Sequence, residues 1–193
     1  MVASSALRRG LILSAVLDTG PDRAGHRLAG LMIEPDTGAP EGLFHVAIGS
    51  NRIRHDIVTA RPNAGWVTII DPAAILAGDV EIGEGSLIGM GACVQAGARI
   101  GRHAIVNTGA IVEHDCVVGD FAHVAPGAVL TGGVRIGEGG LVGAGAVILP
   151  GIQIGDWATV GAGAVVTRPV AADHVVTGSP ARALELPLPQ DRS

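Results

Sequence analysis

Residues 73–168 read AAILAG-DVEIGE-GSLIGM-GACVQA-GARIGR-HAIVNT-GAIVEH-DCVVGD-FAHVAP-GAVLTG-GVRIGE-GGLVGA-GAVILP-GIQIGD-WATVGA-GAVVTR, which is sixteen six-residue units in a row without an insertion. The fourth residue is Leu, Ile or Val in all sixteen units, from Leu76 to Val166. The second residue is usually Ala. A repeat this regular predicts a β-solenoid, in which each unit supplies one short strand and one corner.

The alternation of side chains along a strand gives each position of the unit a direction. Positions two and four are predicted to point into the solenoid, and position three to point outward. Three units then form one triangular coil, so residues 18 apart in the sequence lie on top of each other. The glycine that follows many of the branched residues, as at Gly83 and Gly101, is expected to give the corner its backbone freedom.

The composition agrees with a narrow core and limits the partners. Of the 193 residues 30 are Gly and none is Tyr, which predicts a core of small and branched aliphatic side chains. The 13 basic residues are outnumbered by 18 acidic ones, no basic run is longer than Arg8-Arg9, and the chain has almost no rings for base stacking, so we expect no binding of nucleic acid. Two cysteines are too few for a disulfide framework, which favours a cytoplasmic location.

Two apolar stretches could be mistaken for a signal peptide or a membrane span. One follows the basic pair Arg8-Arg9 near the N-terminus, and the other lies within the repeat. The apolar part of the N-terminal stretch is short and is followed at once by Asp18, so we do not interpret it as a signal peptide. Residues 139–155 carry no charge, but they are rich in Gly and contain Pro150. They continue the repeat, and we expect no membrane span there.

Three regions are predicted along this mainly β chain. Residues 1–70 lack the repeat and alternate apolar strand-like runs with a helical segment around 51–62, which is typical of a small α/β domain with a parallel sheet. Residues 71–168 form the β-solenoid. Residues 169–193 are expected to be a cap followed by a polar, Pro-containing tail.

Most residues of the repeat are small or apolar, and the clearest exception is the ionisable triplet Glu113-His114-Asp115. Flanking carboxylates raise the basicity of an imidazole and fix its tautomer, as a general base requires. The coil of three units places Ala96 below His114 and Gly132 above it. Small neighbours on both sides leave a groove beside the imidazole and an approachable N–H at Gly132, so we expect His114 to be catalytic.

A second histidine, His123, occupies the outward third position of its unit, on the side opposite the corner of His114. One chain cannot bring the two side chains together, whereas a threefold assembly can set the corner of one subunit against the flat face of the next. If both histidines serve one site, the protein is a homotrimer. A solvated surface histidine is the competing interpretation of His123.

Residues 44–185 resemble the sugar O- and N-acetyltransferases of the sialic acid and of the bacillosamine and perosamine type. The motifs are Asn107-Thr108, the triplet at His114, Gly178-Ser179-Pro180-Ala181 and the segment 47–54. The resemblance implies a left-handed parallel β-helix of the hexapeptide-repeat acyltransferases, preceded by a small nucleotide-sugar-binding domain. It implies acetyl-CoA as the acyl donor, no metal, and transfer to an amino or hydroxyl group of a sugar or nucleotide sugar.

The same resemblance implies roles for individual residues. His114 would be the general base and Asp115 would polarise it, while His123 and the Gly132 N–H would contact the thioester carbonyl. Near the CoA adenine end it places Gly178, Pro180 and Ala181. Substrate-binding residues are expected to be Asn107, Gly49, Asn51 and Asp18.

One departure concerns the start of the chain. Val16-Leu17-Asp18 matches the second strand of the family's first domain, and the first strand with its Gly-rich phosphate loop is missing. Either the true start lies upstream, or the protein has lost part of its sugar site.

Two alternatives use the same fold. One is a non-catalytic trimeric scaffold. The other is a γ-type carbonic anhydrase, which needs three imidazoles converging on zinc, whereas His103, His114 and His123 fall on mismatched faces. The remaining histidines are expected to be solvated or structural, and Cys116 to belong to the core. Trp157 is predicted to pack between coils or subunits.

Overall fold

The computed structural model describes residues 2–18, 23, 25–36 and 42–184. These residues form two helices and a long series of short strands. No helix in these ranges is long and apolar enough to cross a membrane. The helices are α1 (Val2–Arg8) and α2 (Asn51–Thr59). The strands are β1 (Val16–Asp18), β2 (Arg27–Leu28), β3 (Leu31–Pro35), β4 (Leu43–Phe44), β5 (Gly65–Trp66), β6 (Ile69–Ile70), β7 (Ile75–Leu76), β8 (Glu81–Ile82), β9 (Leu87–Ile88), β10 (Cys93–Val94), β11 (Arg99–Ile100), β12 (Ile105–Val106), β13 (Ile111–Val112), β14 (Val117–Val118), β15 (His123–Val124), β16 (Val129–Leu130), β17 (Arg135–Ile136), β18 (Leu141–Val142), β19 (Val147–Ile148), β20 (Gln153–Ile154), β21 (Thr159–Val160), β22 (Val165–Val166), β23 (Val175–Thr177) and β24 (Arg182–Ala183).

The repeat forms a parallel β-helix with three flat faces, as predicted. Face 1 is the sheet β6-β9-β12-β15-β18-β21-β23-β24, face 2 is β7-β10-β13-β16-β19-β22, and face 3 is β8-β11-β14-β17-β20. Paired residues are 18 apart, as in Ile69↔Leu87 and Cys93↔Ile111. The ladder begins at Ile69. Its last coil is shorter by two residues, because Thr159 pairs with Val175.

The inner layer of the β-helix consists of the residues that the repeat predicts. Second-position residues such as Ala92 and Cys116 are fully buried, and so are fourth-position residues such as Val106 and Leu130. These small and branched side chains fill each coil without any aromatic ring. The narrow cross-section therefore explains the composition.

The glycines at position five have a different purpose from the one expected. Gly83 and Gly101 do not have a positive φ; a Cβ at either site would lie 2.6 Å from a backbone nitrogen of the next coil. The corner residue with positive φ is instead the first of the unit, and it tolerates side chains: φ is 53° at His103 and 58° at Asp115. Close stacking of coils, rather than backbone freedom, requires glycine at position five.

The region before the β-helix differs in part from the predicted parallel sheet. Strands β1 and β3 are parallel, but β2 and β3 form an antiparallel hairpin. Helix α1 covers the first part of face 1: Ala6 packs with the outward side chains Ile69, Leu87 and Ile105. The Ser5 hydroxyl donates to the buried Asp71 carboxylate at 2.7 Å.

Helix α2 is attached to the corner between face 3 and face 1. It starts at the Ser50 N-cap, whose hydroxyl accepts from the Ile53 N–H. The aromatic rings of the described residues gather at this corner in a continuous series of contacts. The series runs Phe44–Trp66–His103–Phe121–His55–Trp157, with neighbouring ring centroids 5.0–6.3 Å apart. The interior of the β-helix is too narrow for these rings. Packed on its outside, they attach the first region to the β-helix.

Candidate active site

The predicted base, His114, lies on the corner between face 2 and face 3. Its Nδ1 is 2.9 Å from Oδ2 of Asp115, and both side chains are exposed. Since a carboxylate only accepts, Nδ1 carries the proton and Nε2 presents a lone pair. Asp115 itself has a φ of 58°. The arrangement suits a base that takes a proton at Nε2.

Gly132 lies against this imidazole, as the coil register predicts. A Cβ at position 132 would lie 2.6 Å from Nε2 of His114, so any side chain there would collide with the basic nitrogen. The Gly133 N–H donates to the His114 carbonyl at 2.9 Å and ties the two coils together. Within the described residues, the Gly132 N–H has no hydrogen-bond acceptor. The lone pair of His114 Nε2 and the unpaired N–H of Gly132 therefore belong to neighbouring groups at the same corner.

The histidine of β15, His123, lies on face 1, opposite the corner of His114. It is half-buried: its Nε2 is 3.0 Å from Nδ2 of Asn107, and its Nδ1 is 3.3 Å from the Gly49 carbonyl oxygen. Burial and the nearby Arg54 cation lower the pKa of His123. The structure therefore brings Asn107, His123 and Gly49 together, and keeps all three apart from His114.

The two other predicted substrate residues lie in the first region. Asn51 donates from Nδ2 to the carbonyls of Gly139 and Gly140, at 3.0 and 3.2 Å. That contact attaches α2 to the β-helix. Asp18 ends β1 and lies 3.9 Å from the Arg23 guanidinium. Asn51 is thus held at the corner between face 3 and face 1, away from the corner of His114.

The predicted CoA-end residues close the C-terminal coil. Gly178 has a φ of 93° and the bond before Pro180 is cis. The Ala181 N–H donates to Val165 at 2.8 Å. An open groove beside this loop is lined by Ala181 together with the basic side chains Arg168, His174 and Arg182.

Sequence reasoning missed the importance of Arg54. This α2 side chain is 1% exposed and donates to the carbonyls of Ile48, His103 and Phe121 at 2.8, 2.8 and 2.6 Å. Burial lowers the pKa of Arg54 to about 10. The one available signal was its position in the segment 47–54, within a helix with few apolar residues.

His103 is buried and structural rather than solvated. It is 1% exposed and stacks on Phe121, with the rings 9° from parallel. Neither ring nitrogen has a partner in the part of the chain that the structure describes. Burial, with Arg102 nearby, lowers the pKa of His103 to about 4.

Three other residues bear on the sequence interpretation. Cys116 belongs to the core, and burial raises the pKa of its thiol. Trp157 packs between coils, over Gly139, and against Arg52 of α2. Among the described residues, no group of three or more His, Cys, Asp or Glu side chains could hold a metal ion.

Two protein-family profiles match the repeat. The profile "Hexapeptide repeat of succinyl-transferase" matches residues 79–114 and 133–168, and "Bacterial transferase hexapeptide (six repeats)" matches residues 97–132. No curated protein matches the chain in sequence.

Several solved structures match nearly the whole chain. One is a histidine-to-asparagine variant of perosamine N-acetyltransferase from Caulobacter crescentus, in complex with CoA and GDP-perosamine. It is 34% identical, with 95% of this chain and 90% of that chain covered and a TM-score of 0.87. This chain belongs to the hexapeptide-repeat sugar acetyltransferase family. It is an acyltransferase.

Two further structures show the same similarity to this acyltransferase. The acetyltransferase domain of PglB from Neisseria gonorrhoeae, in complex with acetyl coenzyme A, is 36% identical, covers 95% of this chain and 92% of that chain, and has a TM-score of 0.85. WeeI from Acinetobacter baumannii is 32% identical, with coverage of 88% and 85% and a TM-score of 0.81. The similarity includes the first region as well as the β-helix of the acyltransferase.

Proposed function

We propose that this acyltransferase moves an acetyl group from acetyl-CoA to an amino group of a nucleotide-linked sugar, with His114 as the general base. The observation that carries the proposal is the Asp115–His114 pair, whose Nε2 faces Gly132. Support for the substrates comes from relatives that bind CoA with GDP-perosamine, or acetyl coenzyme A. A sugar hydroxyl is the alternative acceptor.

The proposed reaction is a direct transfer. His114 Nε2 takes a proton from the amine as its nitrogen attacks the thioester carbonyl carbon, which forms the C–N bond and a tetrahedral oxyanion. The C–S bond then breaks as the carbonyl reforms. The leaving CoA thiolate takes the proton back from the His114 imidazolium, so the base is regenerated in each turnover.

The oxyanion needs a hydrogen-bond donor, and the spare N–H of Gly132 is in the right place to supply it. A donor at this point acts only when charge develops on oxygen, so it lowers the barrier rather than tightening substrate binding. His123 of the same chain lies apart from this corner, and His123 of a neighbouring subunit would contribute to the oxyanion only by giving up one of its two hydrogen bonds. We therefore assign oxyanion stabilisation to Gly132.

The remaining residues divide between the two substrates. We assign the groove by Gly178, Pro180 and Ala181 to the adenine end of CoA, because the cations Arg168 and Arg182 border it and the CoA phosphates are anionic. Asn107, Gly49, Asn51 and Asp18 are assigned to the sugar side. The first region is then the part of the chain that selects the nucleotide sugar.

We further propose a cytoplasmic homotrimer. Face 2 presents an outward column of apolar third-position side chains beside the His114 corner, and the first of them, Ile75, is 66% exposed. Such a column favours burial against another copy of the chain. Threefold packing would bring His114 of one subunit toward the next. The column consists of Ile75, Cys93, Ile111, Val129, Val147 and Val165.

The direct test is thiol release from acetyl-CoA with GDP-perosamine as the acceptor probe, alongside UDP-linked amino sugars. We expect His114→Ala to lower turnover by about 10²–10⁴-fold, the usual contribution of a general base. Arg99→Gln, at an exposed arginine of face 3 with no assigned role, should leave turnover unchanged. Turnover of His114→Ala near that of the wild type would overturn the assignment.

Thermal unfolding with acetyl-CoA separates the enzyme from a scaffold. Ligand that binds only the folded state raises the melting temperature, so we expect stabilisation in the wild type and in His114→Ala. Absence of any shift at millimolar acetyl-CoA would favour the non-catalytic scaffold. Sedimentation of the same samples checks the trimer.

A further inference from the structure

A chain of hydrogen bonds links the first region to Asn107 through His123. The Thr108 N–H donates to Oδ1 of Asn107 at 2.7 Å. Asn107 Nδ2 lies 3.0 Å from His123 Nε2, and His123 Nδ1 lies 3.3 Å from the Gly49 carbonyl. Gly49 belongs to the loop before α2, so the series runs from one region to the other.

Each bond in this series has a forced direction. A backbone N–H can only donate, so Oδ1 of Asn107 is the acceptor and Nδ2 must face His123. Since Nδ2 donates, the Nε2 of His123 carries a lone pair. The proton of the neutral imidazole is then on Nδ1, where the Gly49 carbonyl accepts it.

Arg54 holds the carbonyl end of the series in place. Its guanidinium donates from one nitrogen to the carbonyls of Ile48 and Gly49, at 2.8 and 3.5 Å. Other nitrogens donate to His103 and Phe121 of the β-helix. Because the side chain is fully buried and its planar fork is bonded on several sides, the loop at Gly49 cannot shift without breaking these bonds.

We propose that Arg54 is a positioning residue: by holding the Gly49 carbonyl against Nδ1 of His123, it reinforces the Nδ1–H tautomer that the Asn107 amide, oriented by the Thr108 N–H, also requires. A second proton on Nδ2 of Asn107 has no partner among the described residues. The ligand atom that meets it is therefore an acceptor, such as a sugar oxygen. The proposal rests on the proposed function only in taking that ligand to be the sugar.

The fixed tautomer has a consequence for the pH dependence of the reaction. Burial and the Arg54 charge both lower the pKa of His123, so His123 is neutral at neutral pH. Without the guanidinium, His123 should take up a proton at higher pH and add a second ionisation to the acid limb of the rate profile.

The test is ¹⁵N NMR of histidine-labelled full-length protein, with the His123 signals assigned from their loss in His123→Gln. In the wild type we expect a protonated Nδ1 and an unprotonated Nε2 at pH 7 to 8. In Arg54→Met we expect this pattern to be replaced by a tautomer mixture or imidazolium. The KM for the nucleotide sugar should rise about tenfold, with the KM for acetyl-CoA unchanged.

Arg99→Gln is the matched control, because Arg99 is exposed on face 3 and its side chain pairs, among the described residues, only with Glu81. It should leave both the spectrum and the kinetics unchanged. If Arg54→Met does not fold, Asn107→Asp gives the answer: a carboxylate beside Nε2 can only accept, so the proton should appear on Nε2.

An Nε2–H tautomer or imidazolium of His123 in the wild type at neutral pH would overturn the proposal. So would an unchanged His123 spectrum in Arg54→Met or, where that variant does not fold, in Asn107→Asp. These spectra do not depend on turnover, so a failure of His114 as the base would be seen separately.

Discussion

Two corners of the same β-helix each carry a histidine, and the two imidazoles have opposite surroundings. His114 is exposed, with a carboxylate at 2.9 Å and a glycine above it. His103 is 1% exposed and lies between Phe121 and Trp66, and its ring nitrogens have no partner among the described residues. One imidazole is left able to exchange protons, and the other is kept neutral as a packing group.

The comparison shows that the coil register fixes where a histidine lies but does not fix its chemical role. Both histidines sit at a corner, at the end of one unit or the start of the next. The neighbours 18 residues away and the region that packs on the corner decide what the side chain can do. Four predictions test this contrast. They run from the largest expected change in free energy to the smallest.

The largest expected effect concerns His103 and pH. Its pKa is about 4 in the folded protein, against an ordinary value of about 6.5 in the unfolded chain. Between these values the unfolded chain binds more proton, so the free energy of unfolding falls as pH decreases, by about 3 kcal/mol in total. Urea unfolding at pH 7.5 and pH 4.5 measures it.

The variant His103→Phe should remove this share of the pH dependence. A ring is tolerated there, since Phe121 occupies the same column with a φ of 57°. The exposed His26→Ala should keep the wild-type dependence. An equal loss of stability on acidification in wild type and His103→Phe would show that His103 is not the neutral packing group described.

The second prediction concerns the space above His114. Gly132→Ala would place a methyl group 2.6 Å from Nε2 and should lower kcat about 100-fold, or about 2.7 kcal/mol, by displacing the base. Gly78→Ala is the matched control: it lies three coils below on the same corner, with no atom within 4 Å of the added Cβ. Equal activity in the two variants would contradict the proposed placement of the base.

The third prediction concerns the carboxylate beside the base. Asp115→Asn can turn an N–H toward Nδ1 of His114 and so place the proton on Nε2, and we expect about a tenfold lower kcat/KM, or about 1.4 kcal/mol. Asp173→Asn is the control, because Asp173 also has a positive φ, of 60°. A pH–rate profile of Asp115→Asn that superimposes on the wild type would exclude this role.

The smallest expected effect is at the other corner. The Arg52 guanidinium carbon lies 3.9 Å from the Trp157 ring centroid, a cation–π contact worth about 0.5–1 kcal/mol at an exposed site. A double-mutant cycle of Arg52→Ala and Trp157→Ala, read by urea unfolding, should give that coupling energy. Zero coupling would mean that the ring and the cation contribute independently.

The position of His114 could be predicted because the register is rigid. A constant spacing of 18 residues puts Gly132 over His114, and the structure confirms that contact. The surroundings of His103 could not be predicted in this way. The rings around it come from residues 66 and 121, and the first of these lies outside the repeat, where no periodicity gives the distance.

The role of the position-five glycines was also misjudged, for a related reason. Backbone freedom is a local property that a sequence suggests, whereas the approach of the next coil is not local. The same limit hid Arg54, whose acceptors are 49 and 67 residues away in the chain.

By itself, the sequence determined the three-faced β-helix, its inner layer, and the pairing of His114 with Asp115 and Gly132. Each of these follows from a strict repeat, because hydrogen bonding between coils converts sequence spacing directly into spatial position. Tertiary structure alone decided which histidine is buried, how the aromatic rings join the first region to the β-helix, and which way the Asn107 amide faces. Those outcomes depend on where a non-repetitive segment packs, and packing between distant segments is decided by shape and burial rather than by spacing.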